Sequence, residues 1–173
     1  MSITFVTGGI RSGKTSLVVR WAGELQGPVT YIATAEPGDD EMAARIERHR
    51  SERPEPWLTR EVPLDLVGAL RGIDRGSVIV DCLTLWVNNL IHVELSDEEI
   101  LERSQAAVDV ARDMSGADVF VVSNEVGSGI VPANELARRY EDLLGRVNAM
   151  WSSAADAAYL VVAGRVLQLE VPR

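Results

Sequence analysis

The run Gly8-Gly9-Ile10-Arg11-Ser12-Gly13-Lys14-Thr15 has the residue types and spacing that hold a nucleotide triphosphate. Glycines let the backbone turn tightly, so that successive amides and those of a following helix N-terminus point at phosphate oxygens. Lys14 then reaches the outer phosphates, and Thr15 offers its hydroxyl to Mg²⁺. Such a site also needs a carboxylate at the tip of a buried strand, where it orders water around the ion. Asp81 fits, because it ends Val78-Ile79-Val80 and begins Cys82-Leu83-Thr84. The other reading of Asp81 is the cap of a helix starting near Leu83, and Glu125 is a second metal candidate.

A second chemically capable stretch, residues 39–54, concentrates charge around His49. Two readings stand. In one it is a solvated helix, with Asp40 and Glu41 facing Arg45 at helical spacing and His49 one more exposed polar residue. In the other, neutral imidazole acts as a nucleophile toward phosphorus while Arg48, Arg50 and Arg53 stabilise the added negative charge. His92, the only other histidine, stands among Leu90, Ile91 and Val93 and reads as a packed or surface residue.

These groups must be positioned by strands and helices. Ile3, Phe5 and Val6 mark a short strand over 3–7, and Leu17, Val18, Trp21, Ala22 and Leu25 recur at helical spacing after the loop. Further strands are expected over 29–33, 78–80, 119–122 and 159–162, in short β-branched runs suited to a sheet covered on both faces. Ser96-Asp97-Glu98-Glu99 forms a capping box ahead of a stripe through Ile100, Ala107, Val108, Ala111 and Met114, and 135–154 reads as another helix. Arg53-Pro54-Glu55-Pro56 is a non-helical excursion. Strands alternating with helices predict a P-loop NTPase three-layer α/β fold, a mostly parallel central sheet flanked by helices, with ligands at the carboxyl ends of the strands.

At 173 residues and 46% apolar content, one sizeable core is affordable, and the expectation is a single nucleotide-binding catalytic domain over 1–173. A net charge of −9 argues against general affinity for nucleic acid, so an anionic nucleotide has to be held by local groups. Cys82 is the only cysteine, which excludes an internal disulfide and a cysteine-rich zinc site and suits a reducing compartment. With no leader-like start and no apolar run of membrane-spanning length, a soluble cytoplasmic protein without membrane insertion is expected.

The sequence resembles, nearly end to end, the bifunctional adenosylcobinamide kinase and adenosylcobinamide-phosphate guanylyltransferase family of cobalamin biosynthesis. The resemblance runs through the P-loop, Tyr31-Ile32-Ala33-Thr34-Ala35, Asp40-Glu41-Met42, Arg45-Ile46, His49-Arg50 with Arg53-Pro54, and Trp57, Thr59 and Glu61. It resumes at Asp81-Cys82-Leu83-Thr84-Leu85-Trp86-Val87-Asn88-Asn89-Leu90 and at Ser123-Asn124-Glu125-Val126-Gly127-Ser128-Gly129-Ile130-Val131-Pro132. Arg138, Gly145, Asn148 and Val161-Val162-Ala163-Gly164 complete it.

What the resemblance implies is phosphorylation of adenosylcobinamide with ATP or GTP, then transfer of GMP from GTP to adenosylcobinamide phosphate through a covalent histidine, here His49. It further implies nucleotide contacts from the loop, from Ala33, Thr34 and Ala35, from Arg50, Ser51, Glu52 and Arg53, and from Glu61 and Asp81, with Mg²⁺ on Thr15 and Asp81. Relatives form trimers, which implies a homo-oligomer. From position alone, Ala33 to Ala35 also read as a plain strand end and Glu61 as a surface residue, while the glycine-rich stretch 124–132 suits either a ligand-facing loop or a subunit contact. The sequence departs from the family at Arg165-Val166, where relatives often carry a proline soon after the glycine, so the difference is expected in the packing of the last strand. Two other readings are a P-loop small-molecule kinase in which His49 is structural, and a GTP-dependent switch, which lacks its Asn-Lys-x-Asp guanine signature here.

Overall fold

Short apolar runs alternate with amphipathic ones along the chain, and in the computed structural model they become thirteen elements among the described residues. Those residues are 2–38, 40–51, 53–54 and 56–171. Glu52 and the side chains of Glu41 and Arg45 lie outside the description, and with them the expected facing of Asp40 and Glu41 toward Arg45. The order is β1 (Ile3–Gly8), α1 (Lys14–Glu24), β2 (Val29–Ala33), α2 (Asp40–Ser51), β3 (Leu58–Glu61), α3 (Leu66–Arg71) and β4 (Gly76–Asp81). It continues with α4 (Leu83–His92), α5 (Asp97–Asp113), β5 (Ala117–Val122), α6 (Glu135–Ala154), β6 (Ala157–Val162) and β7 (Arg165–Leu169).

All seven strands join one sheet in the order β3-β2-β4-β5-β1-β6-β7. Every pairing is parallel except β6 with β7. The alternation of side chains along a strand divides the sheet into two faces. Ile3, Phe5, Ile32, Val78, Val80, Val119 and Val121 enter one core with residues of α3 to α6. Val6, Tyr31, Ala33, Ile79, Phe120 and Val122 enter a second core with Leu17, Val18 and Ala22 of α1. Helices thus cover both faces of a mostly parallel sheet, as expected from the sequence.

Local signals hold where they are short in range. Ser96 Oγ accepts from Glu99 N at 3.3 Å while Glu99 Oε2 accepts from Ser96 N at 2.8 Å, closing the capping box at the start of α5. The elements not anticipated are β3, α3 and β7. The last explains Arg165-Val166: Ala163 and Gly164, both at positive φ (49° and 74°), make a two-residue turn, and Arg165 then pairs with Val162 as β7 returns along β6. A proline at the start of that return would remove an amide from the hairpin.

The register brings the ends of the central strands level. Asp81 lies opposite Ala33 on one side and Val122 on the other, so β2, β4 and β5 finish together beside the loop that follows β1.

Candidate active site

The loop after β1 has the backbone that its glycines permit. Gly8 has φ 152°, and a Cβ there would come within 2.2 Å of the Val161 carbonyl oxygen, so the close approach of β1 to β6 requires glycine. Arg11 (φ 55°) and Gly13 (φ 98°) are both left-handed, the alternation that turns successive amides toward one point. Gly13 occupies the cap position of α1, with no side-chain cap and no acidic residue in the first turn, which leaves the positive end of the helix dipole facing the loop. Lys14 is buried, and its Nζ donates to the carbonyls of Gly8 (2.8 Å) and Gly9 (2.7 Å). Two further strand ends fix the loop: Gly164 N donates to Ser12 O at 2.9 Å, and Glu125 N to Gly8 O at 3.1 Å.

Asp81 extends from the tip of β4 toward this loop. Its carboxylate accepts from Thr15 Oγ1 at 3.4 and 3.5 Å and from the hydroxyl of Tyr31. The cap position of α4 belongs to Cys82, without a side-chain cap bond, so the carboxylate of Asp81 is directed to the site and not to the helix. Thr34 is buried and clasps Cys82 from both sides, accepting from its N at 2.8 Å and donating to its carbonyl at 2.7 Å. Burial, followed by the neighbouring Asp81 charge, pushes the Cys82 thiol up to about 11, so it is neutral at pH 7. The same two causes raise the Tyr31 phenol and keep it a hydrogen-bond donor.

A cavity of about 450 Å³ opens above the loop, and its walls join the two chemically capable segments. Ile10 to Thr15 line it from the loop and the start of α1, Ala33, Ala35 and Asp81 from the strand ends, and Met42, Ile46, Arg48, His49 and Arg53 from α2 and the residues after it. His49 Nδ1 and Arg53 Nε are buried with no hydrogen-bond partner among the described residues, as expected of groups whose partner is a ligand. The Arg53 guanidinium lies 3.8 Å from the centre of the Tyr31 ring, and its Nη1 donates to Thr59 Oγ1 at 3.2 Å. Both readings of residues 39–54 therefore have a basis, since α2 is a largely exposed helix that nevertheless presents His49 to the site.

Not every anticipated residue is brought in. Arg50 is half-exposed and turned to Glu61, with Glu47 3.7 Å away, so this pair lies at the surface and neither member lines the cavity. Ser51 bonds the Arg48 carbonyl at 2.8 Å on the exposed side. Glu125 accepts from Gly127 N at 2.9 Å, whereas its neighbour Asn124 lines the cavity. Sequence reasoning assigned no site role to Tyr31 or Cys82, and it placed Asn124 only within a stretch read as a ligand-facing loop or a subunit contact. For Tyr31 a signal existed, since strand alternation sets it on the face of Ala33.

Comparison with known proteins agrees with this geometry. The family model described as cobinamide kinase / cobinamide phosphate guanyltransferase matches residues 4–169. The chain is 39% identical over 168 residues to the bifunctional adenosylcobalamin biosynthesis protein CobP of Pseudomonas aeruginosa, covering 95% of each. It is 40% identical over 172 residues to the bifunctional adenosylcobalamin biosynthesis protein CobU of Escherichia coli, covering 92% of this chain and 94% of that one. Among solved structures, a prototypical ATPase of the type III secretion system of pathogenic bacteria superposes with a TM-score of 0.59 at 8% identity over 92% of this chain, which spans half the length of that protein. The RadB recombinase superposes with a TM-score of 0.50 at 18% identity, over 92% of this chain and 73% of that one. At such low identity these two establish a shared fold, whereas the near-complete family match establishes descent: the chain belongs to the cobinamide kinase / cobinamide phosphate guanyltransferase family.

Proposed function

We propose that both activities of this family proceed in one catalytic domain, at the single cavity over the P-loop, and that guanylyl transfer passes through a covalent intermediate on His49. The observation that carries this reading is the meeting, in one cavity, of the Lys14 loop with His49, whose Nδ1 is buried without a partner. In the guanylyl reaction a neutral imidazole nitrogen of His49 attacks the α-phosphorus of GTP, and the bond to pyrophosphate breaks. The phosphate oxygen of adenosylcobinamide phosphate then attacks the same phosphorus, and the imidazole leaves once protonated. The product is adenosylcobinamide-GDP. One difficult displacement becomes two easier ones.

In the kinase reaction the aminopropanol hydroxyl of adenosylcobinamide attacks the γ-phosphorus of ATP or GTP, the bond from that phosphorus to the β-phosphate oxygen breaks to release ADP or GDP, and the hydroxyl proton is given up to solvent. Catalysis is mostly positioning and charge neutralisation. Lys14 and the loop amides neutralise the outer phosphates in both reactions, and Arg53, which lines the cavity with a buried Nε that has no partner among the described residues, is assigned to the α-phosphate. The hydroxyl of Thr15 and the carboxylate of Asp81 are hard oxygen donors 3.4 Å apart, a set that fits Mg²⁺ with water and phosphate oxygens as its remaining ligands. When bound, the ion supplies charge neutralisation on the triphosphate. No helix of the described residues is long and apolar enough to cross a membrane, and the reading is of a cytoplasmic enzyme that forms a homo-oligomer, a trimer as the resemblance implies.

The test is incubation with GTP labelled at the α-phosphorus. The expected result is a protein adduct that is acid-labile and base-stable, absent in His49→Asn. A wild-type protein that phosphorylates adenosylcobinamide but takes up no label would favour a kinase without nucleotidyl transfer.

A further inference from the structure

The hydrogen bonds to the Asp81 carboxylate among the described residues come from two hydroxyls. That of Thr15 stands at 3.4 and 3.5 Å, and the second is that of Tyr31. Tyr31 is almost wholly enclosed, at 1% exposure, in the middle of β2. A carboxylate at a strand tip can rotate, and a hydrogen bond from a fixed phenol removes that freedom. The opposite side of the contact is as well defined, because the ring of Tyr31 carries the Arg53 guanidinium at 3.8 Å. Arg53 follows the end of α2, at a proline-rich excursion, and Thr59 of β3 at 3.2 Å is the hydrogen-bond partner that holds its fork on the ring.

We propose that Tyr31 is a positioning residue serving both halves of the site: its hydroxyl sets the Asp81 carboxylate beside Thr15, and its ring seats Arg53 against the cavity. One buried side chain on a central strand thereby ties the oxygen donors of the P-loop to the arginine of the histidine segment. The second half of this assignment rests on the guanylyl-histidine reading above, and the first half does not.

The experiment separates the two halves. Tyr31→Phe keeps the ring and its packing volume, which a thermal melt verifies, and removes only the hydroxyl. It is expected to raise the Mg²⁺ concentration needed for half-maximal binding of a fluorescent GTP analogue by roughly tenfold, the loss that follows removal of a hydrogen bond to a charged group. Binding of the analogue in EDTA is expected to be unchanged, and the effect to vanish in an Asp81→Asn background. Tyr31→Leu withdraws the aromatic face as well and is expected to slow formation of the labelled protein adduct about tenfold more than phosphorylation of adenosylcobinamide. Where that variant does not fold, Arg53→Lys withdraws the planar cation from the same stack and is expected to give the same split. An unaltered Mg²⁺ requirement in Tyr31→Phe overturns the first half, and equal losses of both reactions in the stacking variants overturn the second. A wild-type protein that takes up no label overturns the second half together with the guanylyl-histidine reading, while the Mg²⁺ titration still decides the first.

Discussion

At the scale of single residues, the arginines of the histidine segment are not equivalent. Arg48, Arg50 and Arg53 carry the same charge and all lie within four residues of His49, so sequence alone does not choose among them. In the fold, Arg50 is spent on Glu61 at the surface, where an ion pair contributes little, while Arg53 lines the cavity with a buried, unpaired Nε. Arg53→Ala is therefore expected to slow the first-order formation of the labelled adduct roughly ten- to hundredfold, the range for losing a charged hydrogen-bond donor. Arg50→Ala is expected to change it by no more than about fivefold. Initial rates of label uptake at saturating GTP measure both, and a larger effect at Arg50 would mean that this side chain leaves Glu61 when nucleotide binds. The phosphate loop was legible at this scale because its geometry depends on glycines within a few positions of one another. The face that Tyr31 occupies was legible from strand alternation but its partners were not, since they stand 50 residues away at Asp81 and 22 residues away at Arg53.

At the scale of elements, what could be read was what is locally determined. The capping box of α5 needs only Ser96 and Glu99, and it forms as the spacing predicts. Ser96→Ala is expected to lower stability by about 1 kcal/mol at pH 7, as judged by denaturant midpoints. The pH dependence has a definite sign. Hydrogen bonds from the Ser96 backbone and side chain hold the Glu99 carboxyl below its ordinary value of 4.5, so its contribution is complete above that pH and is lost as pH falls through the lowered folded value. The difference between wild type and Ser96→Ala should thus shrink in acid, and a gap that widens there would contradict the assignment. By contrast, β3 and β7 are short edge strands with little buried surface, and all five residues of β7 are exposed. Their sequences lack the apolar alternation that marks an interior strand, and pairing with a neighbour is what makes them strands.

At the scale of the whole molecule, one sheet draws strands from both ends of the chain, with β1 flanked by β5 and β6 and its loop pinned by Gly164 and Glu125. Unfolding as a single domain follows from that interleaving. A calorimetric scan is expected to show one transition, and Mg²⁺-GTP at a hundred times its Kd to stabilise the protein by about 2.7 kcal/mol, or roughly 5–10 °C. Two transitions, with only one moved by nucleotide, would refute the single domain. The sequence by itself determined the layered α/β fold, the nucleotide loop and the family, because hydrophobic period, glycine placement and matching motifs are properties of neighbouring residues. Only the tertiary structure decided that α2 turns His49 over the loop, that Arg53 and not Arg50 meets the cavity, and that Tyr31 joins Asp81 to Arg53. Those relations depend on which strand ends fall level in the sheet and on the rotamers that packing allows, and neither quantity is written in any local stretch of the chain.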